Sequence, residues 1–402
     1  MSLNRKTQPA SLEAVKLSNR ELKVIPRRIH QPLEELLLND TRWIELPFSS
    51  FNLEVRPDGL MEKLFREPVF LRQRGINQLQ HLVPAALSHE PYPQLPFFPH
   101  SRLAHAKIVA GLGLALLHRN GYPINDQLRF AATAAHHDSP TPAGGDTVIR
   151  IDRSLLSEER NFARLIKDNS LDQKWRFFGF NLDEATDWVL GHGRFGQLLD
   201  ILDKLSYTLL DTYFFIESGH APKTLTALVE SDPLFGDLWQ EITIEQDRLH
   251  FRNPDRLSRF LHIRGLMHDQ LYKNPDCRKM ELLYSQAIEK LFSRGLISPD
   301  TLIANDDDWL YGLIGPIEQS FPATAISHRH FRKQQFAEAY RRCLNGRFIF
   351  TEHLKPFSTG LDWPVDLNGK IVPLHAAISP RSADKLERLS RHREGWHMFF
   401  HA

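Results

Sequence analysis

Apolar residues recur at helical spacing along most of the chain, in blocks separated by short Pro- and Gly-rich breaks. A long helix is predicted from Ser101, a suitable N-cap, to about His118, before Asn120-Gly121. The Pro-rich stretch from Glu90 to His100 (EPYPQLPFFPH) breaks the chain ahead of it. A second helix is predicted from near Asp126 to near Asp138, followed by a Pro/Gly-rich loop, Ser139 to Asp146 (SPTPAGGD). Further helices are predicted over 155–168, 183–190, 194–217, 255–273, 276–294 and 331–344. Residues 1–60 mix charged helix-like stretches with one extended segment, Trp43 to Val55, and the tail from 345 to 375 is extended in places (GRFIFTEH, GKIVPLH). There is no tandem repeat and no low-complexity tract. The expected class is mostly α, with a small strand-bearing appendage.

Composition narrows this picture modestly. A chain of 402 residues fits one large domain or two to three smaller ones, and 42% hydrophobic residues suffice for a sizeable core. With 25% charged residues and a formal net charge of +1, nothing global indicates nucleic-acid or membrane binding, although a local basic pocket for a phosphate-bearing ligand stays open. Two cysteines, Cys277 and Cys343, argue against a disulfide framework and a Cys-based zinc site. The first residues, MSLNRKTQPASLEAV, lack the apolar stretch of a signal peptide. The longest apolar run, Ile108 to Leu117, is ten residues with two glycines and too short to span a bilayer. A cytoplasmic protein is expected.

Four segments carry candidate chemistry. His136-His137-Asp138 ends an Ala-rich helix (FAATAAHHD), where an acid and an imidazole side by side need a partner; a divalent transition metal is one, a capping or surface role another. His105 lies 32 residues upstream of His137 on the preceding helix, near a core-facing stripe, and alone reads as a satisfied core histidine. Residues 198–216 (LLDILDKLSYTLLDTYFFI) form a strongly apolar helix in which Asp203, Tyr207 and Asp211 share one face at i, i+4 and i+8, with Asp200 nearby. Ionised groups in a buried helix are costly without partners, so this is either a paired site or an exposed polar stripe. Arg264, His268 and Tyr272 repeat the spacing in FLHIRGLMHDQLY, with residue types suited to phosphate, proton transfer and stacking or hydrogen bonding.

Taken together and in order across roughly residues 50–345, these segments resemble the HD-domain dNTP triphosphohydrolases, the SAM-and-HD-domain and bacterial dGTP triphosphohydrolase type. FREPVFLRQRGINQL resembles the family stretch ending in Gln-Leu, here Gln78 and Leu79. SRLAHA resembles the R-x-x-H motif, giving Arg102 and His105, and HHD supplies His137 and Asp138. DILDKLSYTLLD resembles the motif D-x-D-K/R-x-D-Y-x-x-x-D, giving Asp203, Lys204, Tyr207 and Asp211. HIRGLMHDQLYKN resembles the helix presenting Arg264, His268 and Tyr272, and IANDDDWLYGLI resembles a later T-D-D segment. The resemblance implies a metal held by His105, His137, Asp138 and Asp203: manganese or iron, with nickel, cobalt or zinc as further candidates and magnesium accompanying the nucleotide. It implies phosphate contacts from Arg102, Lys204 and Arg264. It implies sugar contacts from Tyr207 and Asp211, sugar or base contacts from Gln78 and Leu79, and packing of Tyr272 against the sugar. A small-molecule nucleotide or phosphoester substrate and a homo-oligomer are expected on the same ground.

The pattern breaks after Asp138. Family members follow the pair with G-H-x-P-x-S-H and then His-Glu; this chain has SPTPAGGD, then Glu158-Glu159, and no further histidine until His192. Three readings follow: a phosphohydrolase in which Asp146 or Glu158 supplies the general acid or base, an enzyme for a nucleoside monophosphate or other phosphoester, or a non-hydrolytic nucleotide-binding regulator. His192 reads as a loop residue beside a helix start. Arg381, Lys385, Arg388, Arg391 and Arg393 read as a solvated helix face, with effector binding the alternative. The expectation is a mostly α protein with an HD-domain helical core, added helices and a small C-terminal α/β region. It divides into an N-terminal segment (1–60), the core (61–220), a helical extension completing the substrate pocket (221–345) and a C-terminal mixed region (346–402).

Overall fold

A computed structural model describes residues 21–26, 43–49, 51–79, 100–177, 179–245, 248–318, 326–331 and 348–401. It is mostly α, with a small α/β region at the C-terminal end. Strands β1 (Leu22–Pro26), β2 (Trp43–Glu45) and β3 (Phe51–Val55) precede the short helices α1 (Leu60–Phe65) and α2 (Pro68–Arg72). The helical core follows: α3 (Arg102–Arg119), α4 (Ile124–His136), α5 (Gly145–Ile151), α6 (Arg153–Leu156), α7 (Glu158–Asp168), α8 (Leu171–Phe177), α9 (Leu182–Val189), α10 (Gly193–Glu217) and α11 (Lys223–Glu230). The hairpin of β4 (Ile242–Glu245) and β5 (Arg248–Phe251) leads into α12 (Pro254–Met267), which continues as a π-helical turn over His268–Tyr272, and then α13 (Pro275–Ser293), α14 (Pro299–Ala304) and α15 (Asp307–Glu318). The C-terminal part contains β6 (Ile326–Phe331), β7 (Phe348–Leu354), β8 (Pro364–Leu367), β9 (Lys370–Pro373), α16 (Leu374–Ala377), α17 (Pro380–Arg391) and β10 (Gly395–His401).

Helix α3 is the axis of the molecule. Every residue from Arg102 to Leu117 is buried, the pattern of a helix packed on all sides rather than on one stripe. Two glycines let neighbours approach it. A Cβ at Gly113 would stand 2.1 Å from the Phe130 ring of α4, and one at Gly111 would stand 2.5 Å from Ile44 of β2. Thus α4 and the antiparallel sheet β1-β3-β2 close on α3 where its side chains vanish. The 25-residue α10 packs on α3 as well, spanning about 38 Å at 1.5 Å per residue. One apolar cluster joins all of these with α12 and runs from Leu22 to Leu386. A second lies beneath α5 and α6 against α13, α14 and α15, around Val148, Ile288 and Leu310. The two remaining sheets, β4-β5-β8-β9 and β6-β10-β7, interleave the C-terminal strands with the β4–β5 hairpin and with one another.

Several expected boundaries shift for physical reasons. The second helix starts after Pro123 and ends at His136, so His137 and Asp138 lie just past its end. The helix expected over 155–168 is broken at Ser157, whose side chain caps α7 instead of continuing α6. The helix expected over 255–273 widens into the π turn at His268. The extended segment 43–55 is two strands around a turn in which Phe48 has φ 60°. Of the helix expected over 331–344, Phe331 ends a strand and the rest lies outside the described residues, as do Cys343 and most of the Pro-rich stretch 90–100. Among the described residues, no helix is long and apolar enough to cross a membrane.

Candidate metal centre and adjoining cavities

Three packed segments bring the candidate ligands together. His105 projects from the first turn of α3, His137 follows α4, and Asp203 sits on α10, with the Ser206 hydroxyl donating to the His105 carbonyl at 3.2 Å to join α10 to α3. Ligand atoms of His105, His137 and Asp203 all lie within 4.8 Å of one another. His105 Nε2 is 3.0 Å and His137 Nε2 3.7 Å from Asp203 Oδ1. Asp138 stands beside this trio, 3.3 Å from His137 Nε2 and 3.5 Å from His105 Nε2. Both imidazole Nε2 atoms are buried, and neither has a hydrogen bond of regular geometry among the described residues. A ring nitrogen and a carboxylate oxygen this close, yet not aligned as donor and acceptor, are aimed at a common point. Ligands about 2.1 Å from one ion have neighbouring donor atoms roughly 3.0–3.4 Å apart, so the spacing fits a divalent transition metal. His137 Nδ1 donates to the Ala134 carbonyl at 2.7 Å, which leaves the Nε2 lone pair for the site.

The electrostatics follow from burial among opposite charges. Burial alone would lower the His137 imidazole, but Asp138 and Asp203 outweigh it and raise it to about 9. Burial would raise Asp203, and the two histidines instead hold it well below the usual carboxylate range. His136, one residue away, behaves oppositely. Burial and then the His137 charge lower it to about 3, its Nδ1 meets the Ser139 hydroxyl at 3.1 Å, and its ring packs against Phe70 and Trp175. Adjacent histidines thus divide into a core residue and a candidate ligand.

Arg102 organises the carboxylates around the trio. Its buried guanidinium donates to Asp138 at 2.8 Å and Asp146 at 3.1 Å, and lies 3.7 Å from Glu158. Burial would lower it, yet these three acids raise it well above its ordinary value. Glu158 accepts from the Thr141 hydroxyl. Burial first, then the Asp138 charge, pushes its carboxyl up to about 8.

Residues absent from the sequence-level site support the loop after Asp138. Arg72 on α2 donates to the carbonyls of Ser139, Thr141 and Asn305 at 2.6–2.7 Å. Buried Asp307 accepts from the backbone N–H groups of Gly144 and Asn77, each at 2.8 Å. Gly144 itself has φ 84°, and a Cβ there would meet Val148 at 2.4 Å. A cation inside FREPVFLRQ and an acid run inside IANDDDWL were the available signals.

Two cavities adjoin this centre. The first, about 590 Å³, has Arg102, His137, Asp138, Asp146, Glu158 and Asp203 in its lining. The second, about 530 Å³, shares Gln78, Asp146 and Tyr207 with the first and adds Leu79, Asp211, His268, Tyr272 and Phe357. The face at Asp203, Tyr207 and Asp211 therefore runs from one cavity into the other. Asp211 is buried and receives His100 Nε2 at 2.8 Å together with the Tyr272 hydroxyl. Arg264 donates to the Tyr207 hydroxyl and the Ser358 carbonyl, both at 2.7 Å, while His268 stacks on Phe357 with ring centroids 4.5 Å apart. Lys204 and Arg264 line neither cavity, and Lys204 Nζ is paired with Asp200. The second cavity also takes Lys273, Arg278 and Lys355, which the sequence did not single out. His192 is exposed at the start of α10. Of the basic tail, Arg393 reaches Asp269 at 3.2 Å and Arg388 lies 3.8 Å from Asp384.

No protein-family model matches the chain, and no curated protein matches it in sequence. Solved structures do match. A phosphohydrolase from Bacteroides thetaiotaomicron superposes with a TM-score of 0.62 at 16% identity, over 90% of this chain and 99% of that one. A hypothetical protein from Aquifex aeolicus superposes with a TM-score of 0.63 at 16% identity, over 84% of this chain and 91% of its own. At such identity the likeness is one of fold, and it extends over most of both chains.

Proposed function

We propose that this chain is a metal-dependent phosphohydrolase of the HD type acting on a nucleotide. The observation that carries the reading is the convergence of unbonded His105 Nε2, His137 Nε2 and an Asp203 oxygen within 4.8 Å, beside a cavity with room for a ligand. The fold shared with a phosphohydrolase supports it. Two imidazoles and carboxylate oxygen suit manganese or iron, with nickel, cobalt or zinc also compatible. A bound divalent ion there supplies an acidified water and a polarised phosphoryl oxygen.

The chain's own residues do the remaining work. The Ala134 carbonyl fixes the His137 tautomer. Arg102 holds the Asp138 carboxylate in place, and its charge opposes what develops on the phosphoryl group. Glu158, protonated near neutral pH, donates a proton to the departing oxygen. Asp146, half exposed at the mouth, orients Arg102 from the solvent side. Gln78, Leu79, Tyr207, Asp211 and Tyr272 receive the nucleoside in the second cavity, and His268 and Arg264 back that wall. Resemblance points to a deoxynucleoside triphosphate. A monophosphate is the second reading, favoured because Arg102 is already shared among three carboxylates.

The test is metal analysis of the purified chain, with hydrolysis of a nucleotide panel in manganese, for the wild type and Asp203→Asn. Metal retained by the wild type and lost by the variant, together with hydrolysis that needs it, is the expected result. A variant with unchanged metal content and activity refutes the site.

A further inference from the structure

The charge around the first cavity restricts its substrate. Among the described residues its lining carries six carboxylates, Asp138, Asp146, Glu158, Glu159, Asp200 and Asp203, against Arg102 as the one guanidinium or ammonium group. That guanidinium is buried and already engaged by Asp138 and Asp146 at hydrogen-bonding distance. Lys204, the nearest ammonium on α10, is turned to Asp200. Arg264 is committed to Tyr207 and Ser358. With Glu158 protonated near neutral pH and Asp200 paired to Lys204, four acids remain, and the three positive charges of a divalent cation at the trio and Arg102 do not exceed them. Volume does not decide the matter, since about 590 Å³ admits a long phosphate chain. Charge does. A triphosphate brings about four negative charges into this field, whereas a phosphomonoester brings at most two.

The second cavity gives the rest of a small ester a place to lie. It opens from the first at Gln78, Asp146 and Tyr207 and is walled by Leu79, Tyr272 and Phe357; of its cations, Arg150 and Arg278 are held by Glu281 and Glu352, and Lys273 donates to the Lys355 carbonyl. Gln78 Oε1 is buried there without a hydrogen-bond partner among the described residues, an acceptor suited to a hydroxyl.

Resting on the phosphohydrolase reading above, we propose that the substrate carries a single phosphoryl group: a phosphomonoester whose alcohol part occupies the second cavity. Water adds to phosphorus, and the bond from phosphorus to the ester oxygen breaks with its electron pair going to that oxygen. The alcohol oxygen takes up one proton as the attacking water gives one up, and inorganic phosphate leaves.

The experiment compares one nucleoside carrying one or three phosphates, and p-nitrophenyl phosphate, on the manganese-loaded full chain. Products are separated by chromatography. In parallel, calorimetry with buffered free manganese measures binding of inorganic phosphate and of tripolyphosphate, which need no turnover. Inorganic phosphate release, with kcat/KM for the monoester at least about tenfold above the triphosphate and phosphate bound at least about tenfold more tightly than tripolyphosphate, is expected. Asp146→Asn combined with Glu159→Gln should narrow that binding ratio at least about fivefold. Tripolyphosphate as the released product, or bound as tightly as phosphate, overturns the proposal, and a ratio unmoved in the double variant removes its electrostatic basis. Hydrolysis of no ester and binding of neither anion instead overturns the phosphohydrolase reading on which it rests.

Discussion

Replacing Arg102 by Met tests the electrostatic frame of the site directly. The Arg102 and Asp138 side chains are 7% and 5% exposed, and their contact is 2.8 Å. The Asp146 side chain is 56% exposed, so its pair with Arg102 adds little. The energy therefore sits in the Asp138 pair. Removing one partner of a buried pair costs about 3–5 kcal/mol, and the His137 imidazole 3.3 Å from Asp138 places this pair toward the lower end. Met keeps most of the volume, so little of the loss comes from a cavity. The loss should also depend on metal. A divalent cation held by His105, His137 and Asp203 would lie beside Asp138 and replace part of the missing positive charge. Urea unfolding of both proteins, in chelator and in saturating manganese, reads both quantities. The variant should be less stable by about 3–5 kcal/mol in chelator, and the difference should shrink by at least about 1 kcal/mol in manganese. A loss under about 1 kcal/mol in chelator would mean that Asp138 does not depend on Arg102. An equal loss in both conditions would mean that no cation binds within reach of Asp138.

Three further outcomes separate neighbouring roles. His136→Phe should keep manganese affinity within about threefold, while His137→Phe should weaken it at least about 100-fold by calorimetry; equal effects would contradict the division of the two rings. Glu158→Gln should lower turnover at least about 100-fold. On the proposed mechanism the protonated Glu158 carboxyl donates the proton, so activity should be present below about 8 and fall as pH rises through it, a limb missing from the residual activity of the variant. Gly144→Ala should destabilise the chain by about 2–4 kcal/mol in urea unfolding, from the left-handed backbone and the collision with Val148 and Leu310; a loss below about 1 kcal/mol would show that the loop relocates freely.

What could be read from the sequence, and what could not, divides along the range of the interactions. The i, i+4, i+8 spacing placed Asp203, Tyr207 and Asp211 on one face, and the structure puts that face along both cavities, because a helix fixes side-chain direction whatever it packs against. The same rule placed Arg264, His268 and Tyr272 on one face; His268 and Tyr272 line the second cavity, Arg264 does not, and the π turn over His268–Tyr272 departs from the regular helical spacing. Helices α3, α4 and α10 were legible because long periodic stretches leave little choice. Hairpin β4–β5, strand β10 and the short helices α5 and α14 were not, since each has few residues and is held by tertiary contacts rather than by local preference. Partners were the least legible. Spacing could not show that Arg102 would serve Asp138, Asp146 and Glu158 at once, or that Asp307 would hold a loop 163 residues away. Those pairings exist because α3 is buried on every side: any charge at its first turn must find its opposite nearby or remain unpaid in a low-dielectric interior. Asp138, Asp146 and Glu158 meet that demand. Carboxylates gathered around a buried arginine set the charge of the cavity more than its shape, so they bear first on which anions can enter.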